Sequence, residues 1–107
     1  MNILKYTDFF KDRPSVFQIK KTISQQQLAV ALGQGAVLEK QNFSESTTLI
    51  MLKGEIKFSL PDVDLTFTEL DFYEIPIDVE HEITGVEKEN LFLIIKEMNN
   101  EPDNDLL

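Results

Sequence analysis

Between Glu55 and Thr68 apolar and polar residues alternate twice over, and this pattern constrains the fold more than any other feature of the chain. Ile56, Phe58 and Leu60 alternate with Glu55, Lys57 and Ser59, and after Pro61-Asp62 the residues Val63, Leu65 and Phe67 alternate with Asp64, Thr66 and Thr68. A period of two suits a strand, whose successive side chains point to opposite faces, and does not suit a helix. Two such runs joined by a Pro-Asp turn predict an antiparallel hairpin with one buried face.

The same period, punctuated by turn residues, recurs along the chain. Segment 16–23 alternates loosely, and the apolar run 28–32 ends at the Gly33-Gln34-Gly35 turn. Further strands are predicted at 71–75, 81–86 and 91–97. The run Leu91 to Ile95 is apolar at every position and is expected to sit between two layers. Thr7 or Asp8 is expected to cap one short helical turn over Phe9 and Phe10, stopped by Pro14. Short strands with turn signals about every 8–12 residues, and no helical period long enough for a bundle, predict an all-β sandwich or barrel.

With 107 residues the chain is read as one domain, 1–107, with a barrel core over about 16–97 and an acidic tail at 98–107 expected to be disordered. Nineteen acidic residues against ten basic ones give a net charge of −9. Such a charge repels phosphate backbones and anionic membrane surfaces, so neither nucleic acid nor membrane is expected as a partner. From Asp62 to Glu89 ten carboxylates stand against the single cation Lys88, a pattern read as a solvated outer face or as a surface for a basic partner. Cysteine is absent, which excludes disulfides, thiolate metal sites and thiol nucleophiles. There is no apolar run of signal-peptide or membrane-spanning length, and a soluble cytoplasmic protein is expected.

Two spacings carry a resemblance. One runs Gly35-x5-Gln41-x-Phe43-x3-Thr47-x6-Gly54, and the other runs Leu70-x5-Pro76-x4-His81. With the apolar run from Thr48 into Gly54-Glu55, and the segment from Asp71 to Pro76, this layout resembles the two sequence motifs of the cupin superfamily over residues 28–97. The resemblance implies a small double-stranded β-helix, a jelly-roll-like barrel, often paired as a homodimer, with a divalent metal or a small ligand in its mouth. It also implies that positions 41, 43, 47 and 81 would carry the metal ligands, as His, His, Glu and His. Here only His81 remains, and Leu70 stands where the motif has glycine.

The replacements bear on function. A transition-metal site needs about three or four converging imidazole or carboxylate donors. Gln41 offers an amide oxygen, Phe43 offers nothing and Thr47 offers a neutral hydroxyl, so neither a metal nor another cofactor is expected. The remaining metal alternative is His81 with Gln41 and Glu39, because Glu39 shares the strand parity of Gln41; Glu45 shares it as well. Asp78 is near in sequence, while Glu80 and Glu82 flank His81 and should point to the opposite face.

The candidate pocket is therefore Gln41, Phe43, Thr47, Met51 and His81, with Leu49 on the same inward parity. These side chains can equally be plain core. The imidazole is either a hydrogen-bonding or acid/base group for a ligand, or a remnant satisfied by Gln41 or Thr47. The leading expectation is a metal-free module that binds a small, mostly apolar ligand or a protein partner and is not an enzyme. The alternative is an isomerase- or lyase-like enzyme on a small polar metabolite, with His81 as acid/base and Gln41 and Thr47 orienting the substrate. A third reading is a subunit for protein interaction alone, using the outer sheet face and the acidic belt. No Gly-x-Ser-x-Gly, phosphate-cradling glycine loop or His-Glu-x-x-His occurs.

Overall fold

The computed structural model describes residues 1–98 and consists of nine strands and one turn of 3-10 helix. The strands are β1 (Ser15–Lys21), β2 (Gln25–Gly33), β3 (Val37–Gln41), β4 (Thr47–Lys53), β5 (Glu55–Ser59), β6 (Asp64–Thr68), β7 (Phe72–Ile75), β8 (His81–Gly85) and β9 (Glu89–Glu97). They form two antiparallel sheets, a five-stranded one in the order β1-β2-β9-β4-β7 and a four-stranded one in the order β3-β8-β5-β6. The fold is all-β, as expected. From residue 99 onward the tail expected over 98–107 lies outside the described residues.

The hairpin is the predicted one. Lys57 faces Thr66 and Phe58 faces Leu65, and the turn closes with Leu60 N donating to Val63 O at 2.8 Å. Ile56 and Phe58 are buried and Leu65 and Phe67 pack against them, whereas Val63 sits in the turn and is exposed. In the facing sheet Val30 and Leu32 of β2, Leu49 and Met51 of β4, and Phe92 and Ile94 of β9 point inward, and the two inner faces close into one core.

Strand β9 does lie between two layers. Phe92 and Ile94 enter that core, while Leu91 and Leu93 join Ala29 and Ala31 in a smaller apolar cluster on the outer face of the five-stranded sheet. Ile3 and Phe9 cover this cluster, so the N-terminal segment buries one end of an otherwise open face. The helical turn is not where the sequence placed it: it spans Ile3–Tyr6, and Thr7 follows its end. Asn2 rather than Thr7 or Asp8 is the cap, its Oδ1 accepting from Leu4 N at 2.9 Å. Phe9 is drawn onto the sheet and Phe10 O accepts from Gly33 N at 2.9 Å, which holds the segment before Pro14 out of a helix. Strand β2 is longer than the apolar run 28–32 because it is hydrogen-bonded on both sides, and Gln25, Gln26 and Gln27 extend the pairing to Glu97, Lys96 and Ile95. No helix among the described residues is long and apolar enough to cross a membrane.

Candidate functional site

His81 opens β8 on the inward parity, between exposed Glu80 and half-buried Glu82, and only 2% of its surface is exposed. Its ring stacks on Phe58, with centroids 5.0 Å apart and planes 13° apart, and meets Phe43 edge-on at 5.0 Å. Phe58 continues to Tyr73 at 5.3 Å and to Phe67 at 5.9 Å. A chain of aromatic rings therefore fills the region that the spacing marks as a ligand site. The imidazole belongs to it as a ring as much as a base.

The polar atoms of the imidazole are not treated alike. Nδ1 lies 3.3 Å from Val79 O, and a carbonyl can only accept, so Nδ1 carries the proton and Nε2 carries the lone pair. Nε2 is buried and has no partner among the described residues. The pKa of His81 is lowered from its ordinary value of 6.5, chiefly because burial penalises the charged form, and the Val79 carbonyl opposes this in part. The group is a neutral, buried hydrogen-bond acceptor.

The structure brings together some of the residues named from the sequence and separates others. Gln41 is the strand partner of His81, and Phe43 is in ring contact with it. The Thr47 hydroxyl instead donates to Glu45 O at 2.9 Å, so neither it nor Gln41 satisfies Nε2. The expected self-satisfied cluster of His81 with Gln41 or Thr47 is thus absent. Met51 and Leu49 are fully buried members of the core.

Glu39 is exposed, and the reason is a bulge that the sequence did not reveal. Leu38 pairs with Ile83 and Gln41 pairs with His81, so β3 spends one residue more than β8 over the same stretch. Both Leu38 and Gln41 then face inward, the intervening Glu39 and Lys40 are exposed, and the parity that linked Glu39 to Gln41 is broken. Asp78 and Glu80 are exposed as well. Among the described residues no group of three or more His, Asp or Glu converges. The donor set of His81, Gln41 and Glu39 does not fit a divalent metal.

A cleft of about 240 Å³ borders His81 and is lined also by Lys40, Ser59, Leu60, Pro61, Glu80 and Glu82. Ser59 and Glu82 of this cleft are strand partners on the parity opposite to the buried pair Phe58 and Ile83, whereas His81 is on the inward one. Nε2 itself is buried. Phe43, which meets the imidazole edge-on, is half-buried and lies on the connection between β3 and β4, with the Lys96 ammonium 4.2 Å from its centroid.

The sequence reading missed Asn90, which is fully buried at the other end of the barrel. Its Oδ1 accepts from Glu55 N at 2.9 Å and Glu87 N at 3.0 Å, and its Nδ2 donates to Leu32 O at 2.9 Å and Glu87 O at 2.8 Å. Every polar atom of the amide is satisfied, so Asn90 is a structural clasp.

No protein-family model matches the sequence, and no curated protein does either. Solved structures do match the fold. A conserved protein of unknown function from Streptococcus pyogenes superposes with a TM-score of 0.81 at 11% identity, covering 94% of this chain and 88% of that one. A cupin superfamily protein from Desulfitobacterium hafniense also reaches 0.81, at 14% identity over 92% of this chain and 90% of its own. An RmlC-like cupin with a double-stranded β-helix fold, from Methanocaldococcus jannaschii, reaches 0.73 at 22% identity over 78% and 79%. The architecture implied by the two spacings is the one present, the double-stranded β-helix that these cupin structures share.

Proposed function

We propose that this chain, whose fold is that of the cupins, is a metal-free binding module that holds a small, mostly apolar ligand against His81 without turning it over. The observation that carries this reading is the buried lone pair at Nε2. An unmade hydrogen bond at a buried acceptor costs about 1–3 kcal/mol, a cost that a ligand bearing one donor relieves. The apolar surroundings favour binding: Phe58 stacks on the imidazole, and the neutral imidazole adds orientation without charge.

The enzymatic alternative draws less support. An acid/base histidine works best when its pKa lies near the working pH and a second group sets its proton, and here burial lowers the pKa and only a backbone carbonyl holds Nδ1. Thr47, assigned to orient a substrate, has its hydroxyl committed to Glu45 O. The homodimer and the cytoplasmic location belong to the same proposal. The exposed Phe72 on edge strand β7 supports pairing of copies.

Native mass spectrometry tests the binding reading. The wild-type protein, incubated with a cell metabolite extract, is expected to retain a small molecule that is released on unfolding and is not retained by His81→Phe. One divalent metal ion per chain, lost on the same substitution, would overturn it.

A further inference from the structure

Two rings contact His81, and they differ in freedom. Phe58 is fully buried and also packs on Phe67 and Tyr73, so moving it would dismantle the core. Phe43 is half-buried and lies outside any strand. Its backbone is held, since Phe43 O accepts from Asp78 N at 2.8 Å, so the motion left to it is rotation of the side chain and not opening of the loop. Above it the Lys96 ammonium sits 4.2 Å from the ring centroid, where a cation is attracted to an aromatic face. A replacement for Phe43 that presents a π face keeps that attraction, and a cationic replacement would be repelled. In the imidazole that Phe43 meets edge-on, the buried Nε2 requires a donor.

Building on the binding reading above, we propose that the occupant of this site is a flat ring carrying one N–H or O–H donor, which takes the place of Phe43 against His81 and beneath Lys96. Phe43 is then the residue that closes the empty site and sets the size of what it admits.

Because His81 is the sole histidine, its access can be read without any ligand. Diethyl pyrocarbonate acylates the neutral imidazole, releasing ethanol and carbon dioxide. Acylation is expected to be slow in the wild type and at least tenfold faster in Phe43→Ala, with Phe43→Leu serving if the alanine variant does not fold. Indole is then expected to bind Phe43→Ala at least tenfold more tightly than wild type. Indene, which matches its shape without the N–H, should bind that variant at least fivefold more weakly than indole, and Phe43→Ala/His81→Phe should not distinguish the two.

Unchanged acylation in both Phe43 variants, or equal affinity of Phe43→Ala for indole and indene, overturns the proposal. These outcomes separate it from the reading it rests on. If the wild type retains a small molecule through His81 but the Phe43 variants behave like wild type, this inference fails alone. If the variants behave as expected but wild type retains nothing from the extract, the site stands as described and the binding function falls.

Discussion

Burying an imidazole with one nitrogen unpaired makes the fold sensitive to protons in a definite direction. The folded-state pKa of His81 lies below its ordinary 6.5, so when the pH falls through that value the unfolded chain takes up a proton that the folded chain refuses. The stability associated with the neutral ring is complete above about 6.5 and is lost as the pH drops toward the folded value. His81→Phe keeps a ring between Phe43 and Phe58 and removes both the orphan atom and the titration. It is expected to match or exceed wild-type stability by roughly 1 kcal/mol at neutral pH, and to lose less melting temperature than wild type between about pH 7.5 and 5. Parallel melting curves across that range would mean that the imidazole is not held neutral. Leu70 shows a different strain. It sits at φ 72°, in the left-handed region that Gly35 and Gly54 occupy at 85° and 81°, and its side chain is 81% exposed. A non-glycine residue thus holds a backbone shape that suits glycine, with Leu70 N donating to Met51 O at 3.0 Å. The left-handed conformation costs an ordinary side chain roughly 1–2 kcal/mol, and the extra freedom of glycine in the unfolded chain offsets roughly 0.4–1 of that. Leu70→Gly is therefore expected to stabilise the protein by about 0.5–1 kcal/mol, seen as a higher urea midpoint with unchanged slope.

At the scale of elements, what could be read from sequence was what neighbouring residues decide together. The β5–β6 hairpin was legible because alternation and turn lie within fourteen consecutive residues, Glu55 to Thr68, and β9 was legible because an unbroken apolar run has to be covered on both faces. The bulge in β3 was not legible, because Glu39 and Lys40 differ from paired residues only through what β8 does opposite them. That one residue turned Glu39 away from the side that Gln41 and His81 share. The positions of Gln41, Phe43 and His81 were legible from spacing; the orphaned Nε2 was not, because it depends on where the Thr47 hydroxyl goes. Asn90 is the extreme case: asparagine in sequence suggests a turn, and only the fold gathers the backbone of Leu32, Glu55 and Glu87 around it. Gly54 adjoins the same clasp, where a Cβ would collide with Glu89 O and with Asn90 Oδ1. Asn90→Ala deletes four hydrogen bonds in a buried place, and at about 1 kcal/mol each the loss is about 4 kcal/mol. Chemical denaturation measures this directly; a loss below about 1 kcal/mol would mean that water replaces the amide without cost.

At the scale of the whole molecule, charge and apolar surface pull in opposite directions. A row of strand partners crosses the outer face of the five-stranded sheet: Phe17, Ala29, Leu93, Ile50 and Phe72. The N-terminal segment protects the Phe17 end, where Tyr6 stacks on Phe17 at 5.1 Å, but at the other end Phe72 is 76% exposed on an edge strand. An exposed aromatic beside an unpaired strand edge is the kind of surface that a second copy covers. Two copies that each carry −9 repel, and two carboxylates of the acidic belt stand beside Phe72 in the chain, Asp71 before it and Glu74 on the same strand. If apolar contact drives the pairing, salt screens the repulsion and association should strengthen as ionic strength rises over about 0.05–0.5 M. If the belt itself is the contact surface for a basic partner, salt should weaken the complex instead. Sedimentation equilibrium across a salt series distinguishes the two by sign. The proposed homodimer is expected to tighten with salt and to become monomeric in Phe72→Glu, which adds charge where the apolar row ends. A dimer that loosens with salt, or one indifferent to Phe72→Glu, would place the contact elsewhere on the barrel.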